Sequence, residues 1–238
     1  MRYLPALAAI LVFQFSALAQ HILGFKADGG LSQIVATTND SLSVHRNAFS
    51  FSGQEGMYYN FHLRRKALLG AELLFVQIRG NEHSEIYGSG QQGNLSGSYF
   101  IQDYRRTIYY FGLPVYYGFR YKKLNVNLGF QVLLTMKSKG HIMGTSGYNS
   151  VSSDYESRIS KLDILGYSLG PRAGMMFTLT KKISIEAVYY LGINNVLVND
   201  ASVPAKWKEW RVHQLAIGIR YKVHEFEYEG KKINAVLD

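Results

Sequence analysis

The 238-residue sequence contains no cysteine. That excludes a disulfide scaffold, a zinc ribbon and a thiol nucleophile, and with them anchoring through a lipid-modified cysteine. Proline (4 residues) and tryptophan (2) are scarce. Charged residues make up 18% of the chain, below the roughly 25% of a typical soluble domain. Beyond the N-terminal segment no run reaches the about 20 apolar residues that a membrane-spanning helix needs. What the chain does have is 47% apolar residues, 23 glycines, 18 tyrosines and 13 phenylalanines. So many aromatics with so little charge exclude a disordered chain. They point to β-structure with one apolar face.

The N-terminus reads as an export signal. Arg2 supplies a positive start, Leu4 to Leu18 is apolar apart from Gln14 and Ser16, and Ala17-Leu18-Ala19 has the A-x-A form of a cleavage site. Residues 1–19 are therefore predicted to be a signal peptide, 20–223 a barrel domain and 224–238 a periplasmic tail. The formal charge of +9 falls to +8 once Arg2 is removed. A basic balance can signal nucleic acid. Export argues against it, and so does where the charge lies. Arg64-Arg65-Lys66, Arg120 with Lys122-Lys123, and Lys181-Lys182 hold eight cations and no acid. The remaining cations and acids of the exported chain balance.

These cationic segments separate runs with a period of two, the signature of strands with one apolar face. Leu124, Val126, Leu128, Phe130, Val132 and Leu134 alternate with Asn125, Asn127, Gly129, Gln131, Leu133 and Thr135. Leu215, Ile217, Ile219 and Tyr221 alternate with Gln214, Ala216, Gly218 and Arg220. Similar patterns predict eight strands, near 22–33, 56–66, 68–79, 104–119, 123–138, 161–179, 182–196 and 208–223. The run 68–79 is ambiguous, because Leu73 to Val76 are all apolar; Glu72 is assigned to its polar face. Connections alternate in length. The cationic ones are short, whereas 34–55, 80–103 and 139–160 are long, polar and expected to be solvated loops.

Eight alternating strands fit a soluble barrel or sandwich with its apolar face inward, or a membrane barrel with that face outward. Three features favour the membrane. Most strands meet the about 9–11 residues needed to cross a bilayer at a tilt. Short turns at one end and long loops at the other match the two sides of an outer-membrane barrel. The face opposite the apolar one is small or charged, which suits a narrow filled interior. Doublets such as Tyr109-Tyr110, Tyr116-Tyr117 and Tyr189-Tyr190 are read as interfacial girdles, with ordinary β-propensity as the simpler account. The expected fold is an all-β, eight-stranded antiparallel up-and-down transmembrane β-barrel in the bacterial outer membrane. Both mature ends would lie in the periplasm.

Eight strands enclose just enough room for side chains, so a diffusion pore is not expected. Glu82-His83-Ser84-Glu85 holds the residue types of a Ser-His-acid hydrolase, and a lipid A deacylase is the alternative function it raises. Neighbours in a flexible loop do not form a triad, whose members must converge on a rigid frame. The seven histidines show no HExxH motif or close pair, and no catalytic, cofactor or metal residue is assigned. Gly88 to Gly97 lacks the lysine of a phosphate loop. The best-defined constellation is charge on the polar faces: Lys26, Asp28, Glu72, Arg106, Arg172, Glu186 and Arg220. It is read as an ion-pair network filling the barrel, with a proton or ligand path as the sharper alternative.

The sequence also resembles the PorT-like outer-membrane β-barrel proteins of Bacteroidetes. The resemblance spans essentially the whole exported chain. It rests on Gly24-Phe25-Lys26-Ala27-Asp28-Gly29-Gly30, on Gly70-Ala71-Glu72-Leu73-Leu74-Phe75, on Tyr109-Tyr110-Phe111-Gly112-Leu113-Pro114-Val115 and on Tyr189-Tyr190-Leu191-Gly192-Ile193-Asn194-Asn195. It implies an eight-stranded barrel in the outer membrane, often of unknown activity; outer-membrane lipid and lipopolysaccharide are the expected surroundings of such a barrel. The founding member is tied to type IX secretion, which makes a periplasmic or secretion-machine protein a candidate partner. Most members end at the last strand, whereas this chain continues through His224 to Asp238 as either a frayed tail or a periplasmic handle.

Overall fold

A computed structural model of the chain describes residues 20–38, 43–62, 66–87, 99–148, 151–159, 164–196 and 207–227. The leader at 1–19, Gly88 to Gly97 and the tail beyond Glu227 lie outside the described residues. The strands are β1 (Gln20–Thr38), β2 (Ser43–Ala48), β3 (Ser50–His62), β4 (Ala67–Tyr87), β5 (Tyr99–Tyr121), β6 (Leu124–Tyr148), β7 (Val151–Ile159), β8 (Tyr167–Thr178), β9 (Ile183–Leu191) and β10 (Trp207–Glu227). Eight of them form an antiparallel ring in the order β1, β3, β4, β5, β6, β8, β9, β10 and back to β1. Closure removes the open sheet edges that would otherwise have to be protected. The closing pair is long, running from Gln20 opposite Glu227 to Thr38 opposite Trp207. β2 and β7 are outboard pieces that pair with β4 and β6 at the end away from the short turns.

Side-chain placement decides between the two architectures. On β6, Leu128 and Phe130 point outward with 65% and 63% of their surface exposed, while Asn125 and Asn127 point inward at 2% and 4%. The same inversion holds on β10, where Leu215, Ile217, Ile219 and Tyr221 are exposed and Gln214 and Arg220 are buried. Large apolar side chains on the outside are stable only against lipid. Among the described residues no helix is long and apolar enough to cross a membrane; strands make the crossing. Glu55 departs from the pattern, lying on the outward face of β3 between Ala27 and Phe75 of the neighbouring strands.

Two irregularities re-aim side chains. A bulge at Met136, opposite the Tyr109/Tyr110 step, changes the phase of β6, so that Lys137 and Lys139 face outward beyond the apolar band. A second shift, between Leu23 and Gly24, leaves Val223 unpaired and continues β10 to Glu227. The last strand thus runs four residues past the Val223 end expected from sequence. Glycines on inward positions make room for ring systems: a methyl on Gly70 would run into the Tyr116 ring, and one on Gly24 into Tyr58.

Several sequence expectations need correction. Much of 34–55, 80–103 and 139–160 is strand rather than loop, because β1, β4, β5 and β6 continue well beyond the lipid-facing band. On β4, β5 and β6 the outward face turns polar there, so the hydrophobic alternation disappears while backbone pairing goes on. The tyrosine doublets are not simply girdles. Tyr109, Tyr117 and Tyr189 face outward, but their neighbours Tyr110, Tyr116 and Tyr190 are buried in the lumen.

Candidate functional site: a layered barrel interior

The lumen is filled in layers. In the half nearer the short turns, strand alternation brings charges from distant parts of the chain into one cluster. Lys26 and Asp28 come from β1, Glu72 from β4, Arg172 from β8, Glu186 from β9 and Arg220 from β10. Each is buried. Lys26 Nζ lies 2.8 Å from Asp28 and 3.2 Å from Glu72, and it also pairs with Glu186. Arg172 Nη2 donates to Glu72 Oε1 at 3.1 Å. Arg220 donates through Nε to Glu186 Oε2 at 2.7 Å and through Nη2 to Glu72. Glu72 therefore accepts from three cations.

Neutral groups complete the cluster. Gln54 Nε2 donates to Asp28 Oδ2 at 2.6 Å, and Arg172 Nη1 donates to Asn127 Oδ1 at 3.2 Å. Arg220 Nη1 donates to the Tyr116 hydroxyl at 2.9 Å, which in turn donates to Asn60 Oδ1 at 2.8 Å. The Arg220 guanidinium also stacks 4.7 Å from the Tyr58 ring centroid. Three cations face three acids. Buried charges require such partners, because the desolvation penalty of each is several kcal/mol.

Arg106, the seventh residue singled out from sequence, does not join this cluster. It pairs with Glu82 on β4, and its guanidinium lies 4.3 Å from the Tyr104 ring centroid and 3.9 Å from that of Trp210. Around that pair the lumen is apolar: Ile34, Leu74, Val76, Ile78, Ile108, Tyr110, Leu133 and Val212 pack together in the half away from the turns. The inward face is thus not only small or charged, as read from the sequence, but apolar over this half. This also explains the ambiguous Leu73–Val76 run, whose odd members face lipid while Leu74 and Val76 face an apolar lumen.

Sequence reasoning missed Glu82. Its place in the Glu82-His83-Ser84-Glu85 run masks it, although carrying the phase of Glu72 along β4 places Glu82 and Ser84 inward. His83 lies on the other face, with Nδ1 2.8 Å from Asp103 and Nε2 3.1 Å from Glu85. The four residues are thus split between opposite faces of one strand and do not converge. Among the described residues no group of three or more His, Asp or Glu is placed to hold a metal ion. Among the described residues four buried cations face four buried acids, and the interior chemistry is that of a neutral, interlocked plug.

An inside-out, closed, eight-stranded barrel of this kind agrees with the family comparison: residues 18–198 match the family described as outer membrane protein beta-barrel domain. The chain belongs to that family. It resides in the bacterial outer membrane. No functionally curated protein matches the sequence. Among solved structures, the chain is similar to Ail, the attachment invasion locus protein of Yersinia pestis, crystallised with the heparin analogue sucrose octasulfate. The two share 12% identity over 87% of this chain and 99% of that one, with a TM-score of 0.41. It is also similar to Neisserial surface protein A (13% identity, 84% and 97% covered, TM-score 0.35). OprG of Pseudomonas aeruginosa gives 11% identity, 84% and 96% covered and a TM-score of 0.35.

Proposed function

We propose that this outer-membrane barrel is a non-enzymatic structural and interaction component of the cell envelope, and that it assists type IX protein secretion by docking a subunit of that machine. In this reading both mature termini and the short cationic turns face the periplasm, and the outward apolar band sits among outer-membrane lipid and lipopolysaccharide. The seven sequence-selected charges then serve as filling: they hold the lumen shut and the eight strands in register. The observation that carries the reading is the neutral plug, in which every buried acid is held by a cation. A closed lumen leaves the outer faces and the two ends as the working surfaces. The likeness of four strand segments to PorT-like proteins supports the choice of partner class.

A photo-crosslinking residue placed at Lys181 in intact cells tests the proposal. Capture of secretion-machine subunits, together with reduced secretion in a deletion strain, is the expected result. Unchanged secretion with altered lipid A in that strain would overturn it in favour of a lipid-modifying enzyme.

A further inference from the structure

Among the described residues nothing fills the turn end of the lumen. Between the short turns and the charge cluster lies a cavity of about 930 Å³, near the upper end of the about 300–1,000 Å³ of small-molecule sites. Its floor is the Tyr58 and Asn60 layer that Tyr116 and Arg220 hold in place. The space is therefore a cup rather than a passage.

The charge of this cup is one-sided. Among the described residues Arg120, Lys123, Lys181, Lys182 and Lys222 line it against one acid, Glu225, which already pairs with Lys222. These cations come from three separate parts of the chain: the β5–β6 turn, the β8–β9 turn and the end of β10. The rest of the wall is uncharged, with Ser184 and Asn125 contributed by β9 and β6 beside Ile22 and Met176. Asn125 is the independent observation. It is 2% exposed, and neither its amide nitrogen nor its amide oxygen has a hydrogen-bond partner. A buried amide left open on both atoms is costly unless something in the cavity meets it.

We propose that the cup binds a phosphate-bearing anion that enters from the turn end. The cation excess suits a ligand with more than one negative charge. Four of the five cations are lysines, which bind phosphate as point charges, whereas carboxylate recognition favours the bidentate fork of arginine. Ser184 would contact the polar part of the ligand next to the phosphate, with the Asn125 amide just behind that wall. The phosphate belongs either to a soluble compound or to the head group of a phospholipid. The inference does not depend on which compartment the turn end faces, or on the secretion reading.

The test uses the exported chain reconstituted in phosphatidylcholine nanodiscs and titrated with inorganic pyrophosphate, while the Asn125 side-chain amide is followed by NMR. Saturable binding that shifts this amide is expected. The K181Q/K182Q double variant, altered only in an exposed turn, should raise Kd about fivefold or more, the usual scale for losing exposed ion pairs. K137Q/K139Q removes the same charge at the opposite end and should leave Kd unchanged. In a second arm, part of the phosphatidylcholine is replaced by phosphatidylglycerol. If the anionic lipid alone shifts Asn125 and blocks pyrophosphate, the ligand is a lipid head group; if only pyrophosphate shifts it, the ligand is soluble. No shift of Asn125 in either arm, or equal weakening by both double variants, would overturn the site.

Discussion

The two halves of the lumen solve one problem in opposite ways. Near the turns, the interior is closed by Lys26, Asp28, Glu72, Arg172, Glu186 and Arg220, each needing the others. Toward the far end it is closed by Ile34, Val76, Ile78, Ile108, Leu133 and Val212, around a single Arg106–Glu82 pair. The charged half is exacting: removing one member strands a buried charge. The apolar half is forgiving, since its members lose contact area by degrees. A membrane barrel is thus not simply a soluble protein turned inside out. Part of its interior is an ordinary hydrophobic core wrapped in strands whose outer face is also apolar.

The contrast is testable, starting with its sharpest member. Glu72→Gln leaves Lys26, Arg172 and Arg220 facing two acids and should cost about 3–5 kcal/mol. Urea unfolding of the refolded barrel measures it, and a cost no greater than that of an exposed substitution would mean that the cluster does not stabilise the fold. Glu55 is the same residue type in the opposite setting, outward and without an ion-pair partner among the described residues. Glu55→Leu should stabilise the barrel in lipid vesicles by up to about 2 kcal/mol, somewhat less than the effect of a lipid-facing lysine or arginine at the midplane. Destabilisation instead would show that the carboxylate is met by something in the membrane.

Ile108→Val trims one methylene from the apolar half and should cost only about 0.5–1.5 kcal/mol. A loss as large as that for Glu72→Gln, in the same unfolding assay, would erase the difference between the halves. The smallest effect is one of pH. His83 stands beyond the apolar band, where hydrogen bonds to Asp103, and then to Glu85, raise its pKa above the usual histidine value. Because the folded value is the higher one, the stabilisation is complete below the unfolded value near 6.5 and lost as pH rises through the folded one. Its partners are partly or fully exposed and screened, so the effect on stability is a few tenths of a kcal/mol. Histidine NMR titration of the wild type and Asp103→Asn should show the higher pKa fall in the variant.

Much of this arrangement is legible in the residues, and what is not has a physical reason. Strands such as Leu124–Leu134 announce themselves because lipid demands large apolar groups on every second position. Six of the seven chosen charges meet in one cluster, because a charge in phase with small or polar neighbours has only the lumen to point into. The extensions of β4, β5 and β6 are hidden, since polar residues on the outward face as well as on the buried one erase the alternation. The apolar half is hidden for the converse reason: Leu73 to Val76 and Tyr109-Tyr110-Phe111 are apolar on both faces, so nothing in them distinguishes lipid from lumen. Glu82 was obscured by its neighbours, although its phase relative to Glu72 was already on the strand.

The length of chain spanned by the ion pairs carries one more consequence. Glu72 meets Arg172 across 100 residues of sequence and Arg220 across 148. Arg220 sits on the strand that seals the cylinder, directly opposite Lys26. A nascent chain that has threaded its first strands into the bilayer therefore carries Lys26 with two acids, Asp28 and Glu72, and two of the three cations that Glu72 meets have not yet arrived. It cannot rest half-inserted without exposing bare charge to hydrocarbon. Neutralisation and sealing become the same event, so insertion should proceed as one step from an open precursor to a finished cylinder.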